Sequence, residues 1–418
     1  MSADREPTPP RGPARVSGSD GPHQGMAVPE QTVGSGRSEP TDVDADAADP
    51  QRLARVGLSR AWGPEHRRAA LDVARLGVVE AWERARAVHP GVDPHRDLEA
   101  AARVGARLVC PGDPQWPIAL DALDQLPGDH SGPAPGTPLC LWVRGPADLQ
   151  ALASKAVAVV GCRAATSYGL HLAGEIAFDL AERGWTIVSG AAFGIDAAAH
   201  RAALAAHGQT IAVLAGGVDV PYPVAHAQLL AEIADSGAVV SEIAPGTPPF
   251  RRRFLTRNRV IAGLCRGTVI VEAGLRSGAL NTVAHARRLG RQVMAVPGPV
   301  TSSASVGCHR LLRDFREQTT LVTGADDICE EIAEVGSFAP REVATGARDE
   351  LSAVVRELLD AMPARATIGL SALASALRLR PQDVLAMLGP LVIEGLVDSV
   401  PGGYRLTTLG RAPSTAGR

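Results

Sequence analysis

Between Lys155 and about residue 330 the chain repeats one pattern: a short apolar, β-branched run, a turn of small residues, then an amphipathic helix. The runs are Ala156–Val160, Thr186–Val188, Ile211–Leu214, Ala238–Val240, Thr268–Val271 and Val293–Val296. Helical periodicity separates most of them, as in Tyr168–Arg183, Asp196–His207 and Ala279–Leu289. Strands without a polar face must be covered on both sides, and helical crossovers supply that cover. The expected fold class is therefore α/β, a doubly wound, mostly parallel sheet over roughly residues 150–330.

The flanks read differently. Leu53, Val56, Leu58 and Trp62, then Leu71, Val73, Leu76, Val79 and Trp82, recur at helical spacing and predict a small helical domain over 50–106. Arg107–Cys110 and Leu139–Val143 read as short strands, so the core domain is drawn at 107–335. A linker at 336–348 leads to 349–408, with helices over Glu350–Ala361, Leu370–Leu377 and Pro381–Leu396 and a hairpin around Pro401-Gly-Gly403. Three helices and a hairpin predict a winged helix. Gly389-Pro390 is expected to kink or split its third helix. That helix has no Arg or Lys, which weakens the case for major-groove reading and leaves DNA and protein contact both open. Residues 1–49 and 409–418 are expected to be disordered, since they have too little apolar content to offset ordering entropy.

Composition narrows the chemistry. The 42 basic residues include one lysine, Lys155, and hence 41 arginines. No glycine-rich loop precedes Lys155, so a P-loop is excluded and a kinase reading fails. The six cysteines form no C-x-x-C pair, which argues against a zinc site or disulfide framework and fits a reducing cytoplasm. No apolar run approaches a membrane span, and no signal-peptide core is seen. The net charge of −3 is uneven: residues 1–50 hold nine acids and four arginines, leaving the rest at +2. Phe250–Arg259 carries five arginines and no acid.

The strands end in special turns: Gly161-Cys-Arg163, Ser189-Gly-Ala-Ala-Phe-Gly-Ile-Asp196, Ala215-Gly-Gly217, Ser241-Glu242, Glu272-Ala-Gly274 and Pro297-Gly298. Strand C-termini in a parallel sheet share one edge, and ligands bind there. Loops 161–166 and 189–194 open helices, so their amides suit a phosphate. Neither a dinucleotide fingerprint nor G-x-S-x-G is present. Asp196, Asp219, Glu242 and Glu272 make a carboxylate site geometrically possible. Asp196 and His200 are i,i+4, and a capping Asp paired with a structural His is favoured over a catalytic dyad. A polynucleotide fits better, with phosphates on amides and arginines and bases on Phe193 or its aromatic neighbours Tyr168, Tyr222, Phe250 and Phe254.

In order along the chain stand Val159-Val-Gly-Cys-Arg163 with Tyr168-Gly169, Ser189–Asp196 with His200, Ala212–Gly217 with Tyr222-Pro223, and Ser241-Glu242. Arg257-Asn-Arg259 with Ala262-Gly263, Glu272-Ala273, Ser277-Gly278 with Thr282, and Ala295–Gly298 follow. Together they resemble the DNA-processing protein A (DprA/Smf) family over about residues 105–330. The resemblance implies a Rossmann-like core that binds single-stranded DNA, acts as a homodimer without turnover, and loads RecA on incoming strands during natural transformation. It also implies a SAM/HhH-like N-terminal helical domain. The expected DNA-binding residues are Gly161, Arg163, Ser189, Gly190, Phe193, Gly194, Gly216, Gly217, Arg253, Phe254, Arg257, Asn258, Arg259, Ser277 and Gly278, with no catalytic residue, metal or cofactor. Cys162 stands where the family has Ser, Leu255 where it has Pro, and His309 where it has Asn. The alternatives are a phosphoribohydrolase of the lysine-decarboxylase-like fold, whose glutamate position holds His285, and a winged-helix duplex regulator.

Overall fold

The computed structural model describes residues 46, 48–64, 68–126, 136–334, 351–363 and 367–407. Nearly all of the predicted tails at 1–49 and 409–418, and the whole linker, lie outside these residues. At the centre is a nine-stranded sheet in the order β1-β2-β6-β5-β4-β3-β7-β8-β9. β3 (Ala156–Val160), β4 (Thr186–Ser189), β5 (Thr210–Val213), β6 (Ala238–Ser241), β7 (Gly267–Ile270), β8 (Gln292–Ala295) and β9 (Thr320–Leu321) run parallel. β1 (Ala106–Val109) and β2 (Leu141–Arg144) extend one edge antiparallel.

The burial pattern explains the missing polar alternation. In β3, Val157 and Val159 enter one hydrophobic cluster while Ala156, Ala158 and Val160 enter the other. Both faces are buried, so every position must be apolar. On the Val157 face lie α6 (Ser167–Glu182), α7 (Ile195–Ala205) and α12 (Ala325–Ile332). On the opposite face lie α5 (Leu149–Ser154), α9 (Arg251–Leu264), α10 (Ala279–Arg288) and α11 (Val306–Asp314). The helix α8 (Ala227–Ser236) packs Leu229, Leu230 and Ile233 against the β5–β6 side.

The chain steps from β3 to β6 in one direction. It then crosses back through α9 to place β7 on the other side of β3. The strand order reverses between β3 and β7, which opens a crevice at their C-terminal ends.

Among the described residues, four helices precede the sheet: α1 (Pro50–Trp62), α2 (Arg68–Leu76), α3 (Val78–Val88) and α4 (Pro94–Arg103). Asp49 and Asp93 cap α1 and α4, each followed by Pro at the first helical position. Val56 and Leu98 share a cluster with Leu108, Trp142, Leu214 and Leu230, so these helices pack on the antiparallel side of the sheet.

Residues 353–406 form α13 (Ala353–Asp360), α14 (Leu370–Leu377), α15 (Pro381–Ile393) and an antiparallel pair, β10 (Val397–Val400) and β11 (Gly403–Leu406). They enclose their own core around Leu358, Leu373, Val384, Leu388 and Leu391. The expected split at Gly389-Pro390 does not occur, and Pro390 sits inside an unbroken α15. A proline removes one N–H and crowds the preceding turn, at about 3 kcal/mol. Burial of Val384, Leu388 and Leu391 on one face holds the helix through it.

Candidate nucleic-acid interface

The crevice at the β3/β7 reversal is a cleft of about 910 Å³, lined from three directions. The β3 end contributes Gly161, Cys162 and Arg163, the β7 end Gly274, Arg276, Ser277 and Gly278, and α9 covers it from above. The cleft-facing residues of α9 are Arg251, Phe254, Leu255, Asn258 and Ile261, an i, i+3, i+4, i+7 stripe, together with Arg257. Tyr222 closes the rim, its ring 5.2 Å from that of Phe254. The Arg163 guanidinium lies 5.4 Å from the Phe254 centroid.

Among the described residues, four arginines but one acid, Asp196, line the cleft. The side chains of Arg163, Arg251 and Arg276 are exposed and make no ion pair or hydrogen bond among the described residues. Arg257 is different. Its guanidinium is buried, donates to the Gly190 carbonyl at 3.1 Å and to the Val213 carbonyl, and receives Asp196 as its countercharge. Burial lowers its pKa to about 10 against the opposing pull of Asp196. Asp196 accepts from the amides of Gly190 and Ala192 at 3.2 and 3.3 Å, and burial raises its pKa. Arg257 thus ties the β4 and β5 ends to α9 and forms the cleft's charged back wall.

The geometry gives the expected contact residues unlike surroundings. Ser189 is fully buried, and its hydroxyl donates to the Val159 carbonyl at 2.8 Å, so it holds β4 to β3 instead of facing a ligand. A Cβ on Gly190 would lie 2.7 Å from Cζ of Arg257, so this glycine makes room for the guanidinium. Gly194 has φ of +78° at the start of α7, and a side chain there would strike the Cys162 and Arg163 carbonyls. Gly216 and Gly217 lie against loop 244–249, with the Gly217 amide donating to the Thr247 carbonyl at 2.9 Å. Arg259 points away from the cleft, where it is buried and paired with Glu242 at 2.6 Å. Arg253 stacks 4.4 Å from the Phe250 centroid beside the cleft, and half-exposed Phe193 packs edge-on to His226 on the neighbouring loop. Gly161, Arg163, Phe254, Arg257, Asn258, Ser277 and Gly278 are brought together.

Catalytic roles for the strand-end carboxylates find no support in their surroundings. Glu272 is buried and accepts from the Thr166 amide at 2.9 Å and the Thr166 hydroxyl at 2.6 Å, pinning loop 161–166. Asp219 accepts from the Gly246 amide at 2.8 Å, and Glu242 holds Arg259. The Cys162 thiol is pushed up to about 11 by burial and by Glu272, so it stays protonated near neutral pH and is a poor nucleophile. His200 does not pair with Asp196. Its Nδ1 lies 2.7 Å from the Thr210 hydroxyl, and burial lowers its pKa to about 3.

Two features escaped the sequence reading. Arg251 and Arg276 bring unpaired charge to the cleft, and the period-3.6 stripe in 251–261 was the available signal for the first. Arg60 of α1 donates to the Thr247 hydroxyl at 2.7 Å and the Pro245 carbonyl at 3.0 Å, bracing the loop that carries Pro249 and Phe250. No local pattern announces a bond over 185 residues.

The sequence model of the family described as DNA recombination-mediator protein A matches residues 107–333. The DNA processing protein DprA of Mycobacterium tuberculosis is 46% identical over 382 residues, covering 88% of this chain and 97% of that protein. Protein Smf of Escherichia coli is 37% identical over 277 residues, covering 64% of this chain and 71% of that one. The X-ray structure of DprA from Streptococcus pneumoniae superposes with a TM-score of 0.55 at 29% identity, over 68% of this chain and 99% of that one. The matched span holds the whole parallel sheet and every residue of the cleft, and the chain belongs to the DNA recombination-mediator protein A family.

Proposed function

We propose that this chain binds single-stranded DNA through the β3/β7 cleft and acts as a non-enzymatic recombination mediator. The observation that carries the reading is the lining: three exposed, unpaired arginines and an open aromatic pair, beside carboxylates that are all engaged in holding loops. Such a surface attracts a phosphate backbone and offers flat apolar faces to bases, while it lacks an activated nucleophile or free general base. Loading of RecA on incoming strands, action as a homodimer, and a cytoplasmic location belong to the same proposal, supported by the family resemblance. So do the domain boundaries and the readings of 50–106 as SAM/HhH-like and 349–408 as a winged helix. The cation-free α15 supports a protein-contacting role for that last unit.

The test is a titration of single-stranded against double-stranded DNA over a range of salt. Single strands bind more tightly, and Arg163→Ala and Arg276→Ala each lower the slope of log K against log salt by about 0.7, the loss of one phosphate contact. Folded variants with unchanged affinity and slope refute the site.

A further inference from the structure

Two of the six cysteines meet across the antiparallel edge of the sheet. The β1–β2 register pairs Leu108 with Trp142 and Val109 with Leu141, so the next residues, Cys110 and Cys140, stand opposite each other. Side chains alternate along both strands. Val109, Leu141 and Val143 enter one hydrophobic cluster, whereas Ala106, Leu108, Cys110, Cys140 and Trp142 enter another. Both thiols therefore project from the same face, beneath Val56 of α1 and Leu98 of α4. Opposed residues of an antiparallel pair have Cα atoms about 4.5–5.5 Å apart, within the span of about 4.4–6.8 Å that a disulfide bridges. Both cysteines are free thiols. Cys140 also lines a cavity of about 40 Å³ between α1, α2 and loop 136–140, which reaches the surface at Ala70. That volume admits a molecule of a few atoms. Nε and Nη1 of buried Arg259, which lines the same cavity, have no hydrogen-bond partner among the described residues, so a polar entrant is favoured.

We infer that Cys110 and Cys140 are an oxidation site, joined as a disulfide when hydrogen peroxide enters the cavity at Cys140. The Cys140 sulfur, as thiolate, attacks one peroxide oxygen. The O–O bond breaks, and hydroxide leaves and takes up the thiol's proton as water. The Cys110 sulfur then attacks the sulfenic sulfur of Cys140. The S–S bond forms, the S–O bond breaks, and the second hydroxide leaves with the Cys110 proton as water. Two thiols lose two electrons, and one peroxide gains them. Burial holds both thiols protonated, with Cys110 pushed up to about 12, so the reaction is slow at neutral pH and records sustained exposure to peroxide. The bond closes a loop over residues 111–139. Within that loop Leu120 and Leu123 lie against Gly263 of α9, so oxidation fastens the segment that backs the cleft's arginine-bearing helix.

The experiment treats the full native chain with millimolar hydrogen peroxide, stops the reaction with catalase, alkylates the remaining thiols in denaturant and maps the peptides by mass. Wild type yields a peptide pair joined through Cys110 and Cys140, about 2 Da lighter than the two thiols and released by dithiothreitol. This pair exceeds every other cysteine pairing, and the same treatment in urea abolishes that selectivity. The initial rate rises about tenfold per pH unit between pH 7 and 8, following the thiolate fraction. Glutathione disulfide at equal concentration, too large for the cavity, forms the bond far more slowly. Cys110→Ala leaves a Cys140 sulfenic acid that dimedone traps, whereas Cys140→Ala leaves Cys110 unmodified. The wild-type map needs neither variant to fold. Oxidation of other cysteines while Cys110 and Cys140 remain alkylated overturns the site, as does an equal yield in urea. A folded Cys110→Ala chain whose Cys140 resists dimedone, or an equal rate with glutathione disulfide, overturns the entry of peroxide through the cavity and the inference with it.

Discussion

Gly190 separates two explanations of the glycine-rich strand ends. If it were a phosphate-contacting glycine, Gly190→Ala would weaken DNA binding and leave stability nearly untouched. The geometry instead predicts a loss of stability. The new Cβ would fall on Nη2 of Arg257 and 2.7 Å from its Cζ, so the guanidinium must leave. It would lose its bonds to the Gly190 and Val213 carbonyls, and Asp196 would lose its countercharge. Hydrogen bonds to a charged group contribute about 1.5–3 kcal/mol each. Since Arg257 already lines the cleft, it can swing into solvent and recover part of this. The expected loss is about 2–4 kcal/mol, read by denaturant titration. The cycle with Arg257→Met makes the reasoning sharper. Removing the guanidinium opens the space the methyl needs, so Gly190→Ala in the Arg257→Met background should cost less than about 1 kcal/mol. Additive effects, or an alanine variant within about 0.5 kcal/mol of wild type that binds DNA tenfold more weakly, would refute the assignment.

Other outcomes follow from the buried charges and histidines. Glu242→Gln leaves the Arg259 guanidinium buried without its partner and should destabilise by about 3–5 kcal/mol in denaturant titration. The salt slope of DNA binding should not change, because Arg259 faces away from the cleft. His200 and His285 are held neutral by burial, with pKa values lowered to about 3 and about 4 from 6.5. Their contribution is present above pH 6.5 and is lost as pH falls toward those values, because the unfolded chain binds the protons first. Stability should decline by up to about 2.7 kcal/mol per pH unit between pH 6.5 and 5, with His285→Gln halving the slope; a flat profile would contradict the burial of both rings.

The parallel sheet was readable without coordinates because it rests on a local rule. A strand buried on both faces must be apolar at every position, as Ala156–Val160 is, and such strands separated by amphipathic helices permit few topologies. The strand ends were readable for the same reason, since parallel strands place their C-termini on one edge. The antiparallel β1 and β2, and the passage of α15 through Pro390, depended on packing partners remote in sequence.

The division of labour among the arginines shows where the sequence stops. Residues 250–259 display a dense basic run, and composition alone treats its members alike. Folding that run into α9 turns Arg251 and Asn258 toward the cleft, buries Arg257 against the β4 and β5 ends, and sends Arg259 to Glu242 on the far side. Each residue advances about 100° around the helix, so neighbours in the run meet different surroundings. What surrounds them is set by the crossover from β6 to β7, a contact between segments far apart in the chain. The sequence by itself determined that a parallel sheet would present an arginine- and glycine-rich edge. Only the tertiary structure decided which of those residues meet a ligand and which hold the edge together, because burial and charge pairing are properties of the assembled space and not of the order of residues.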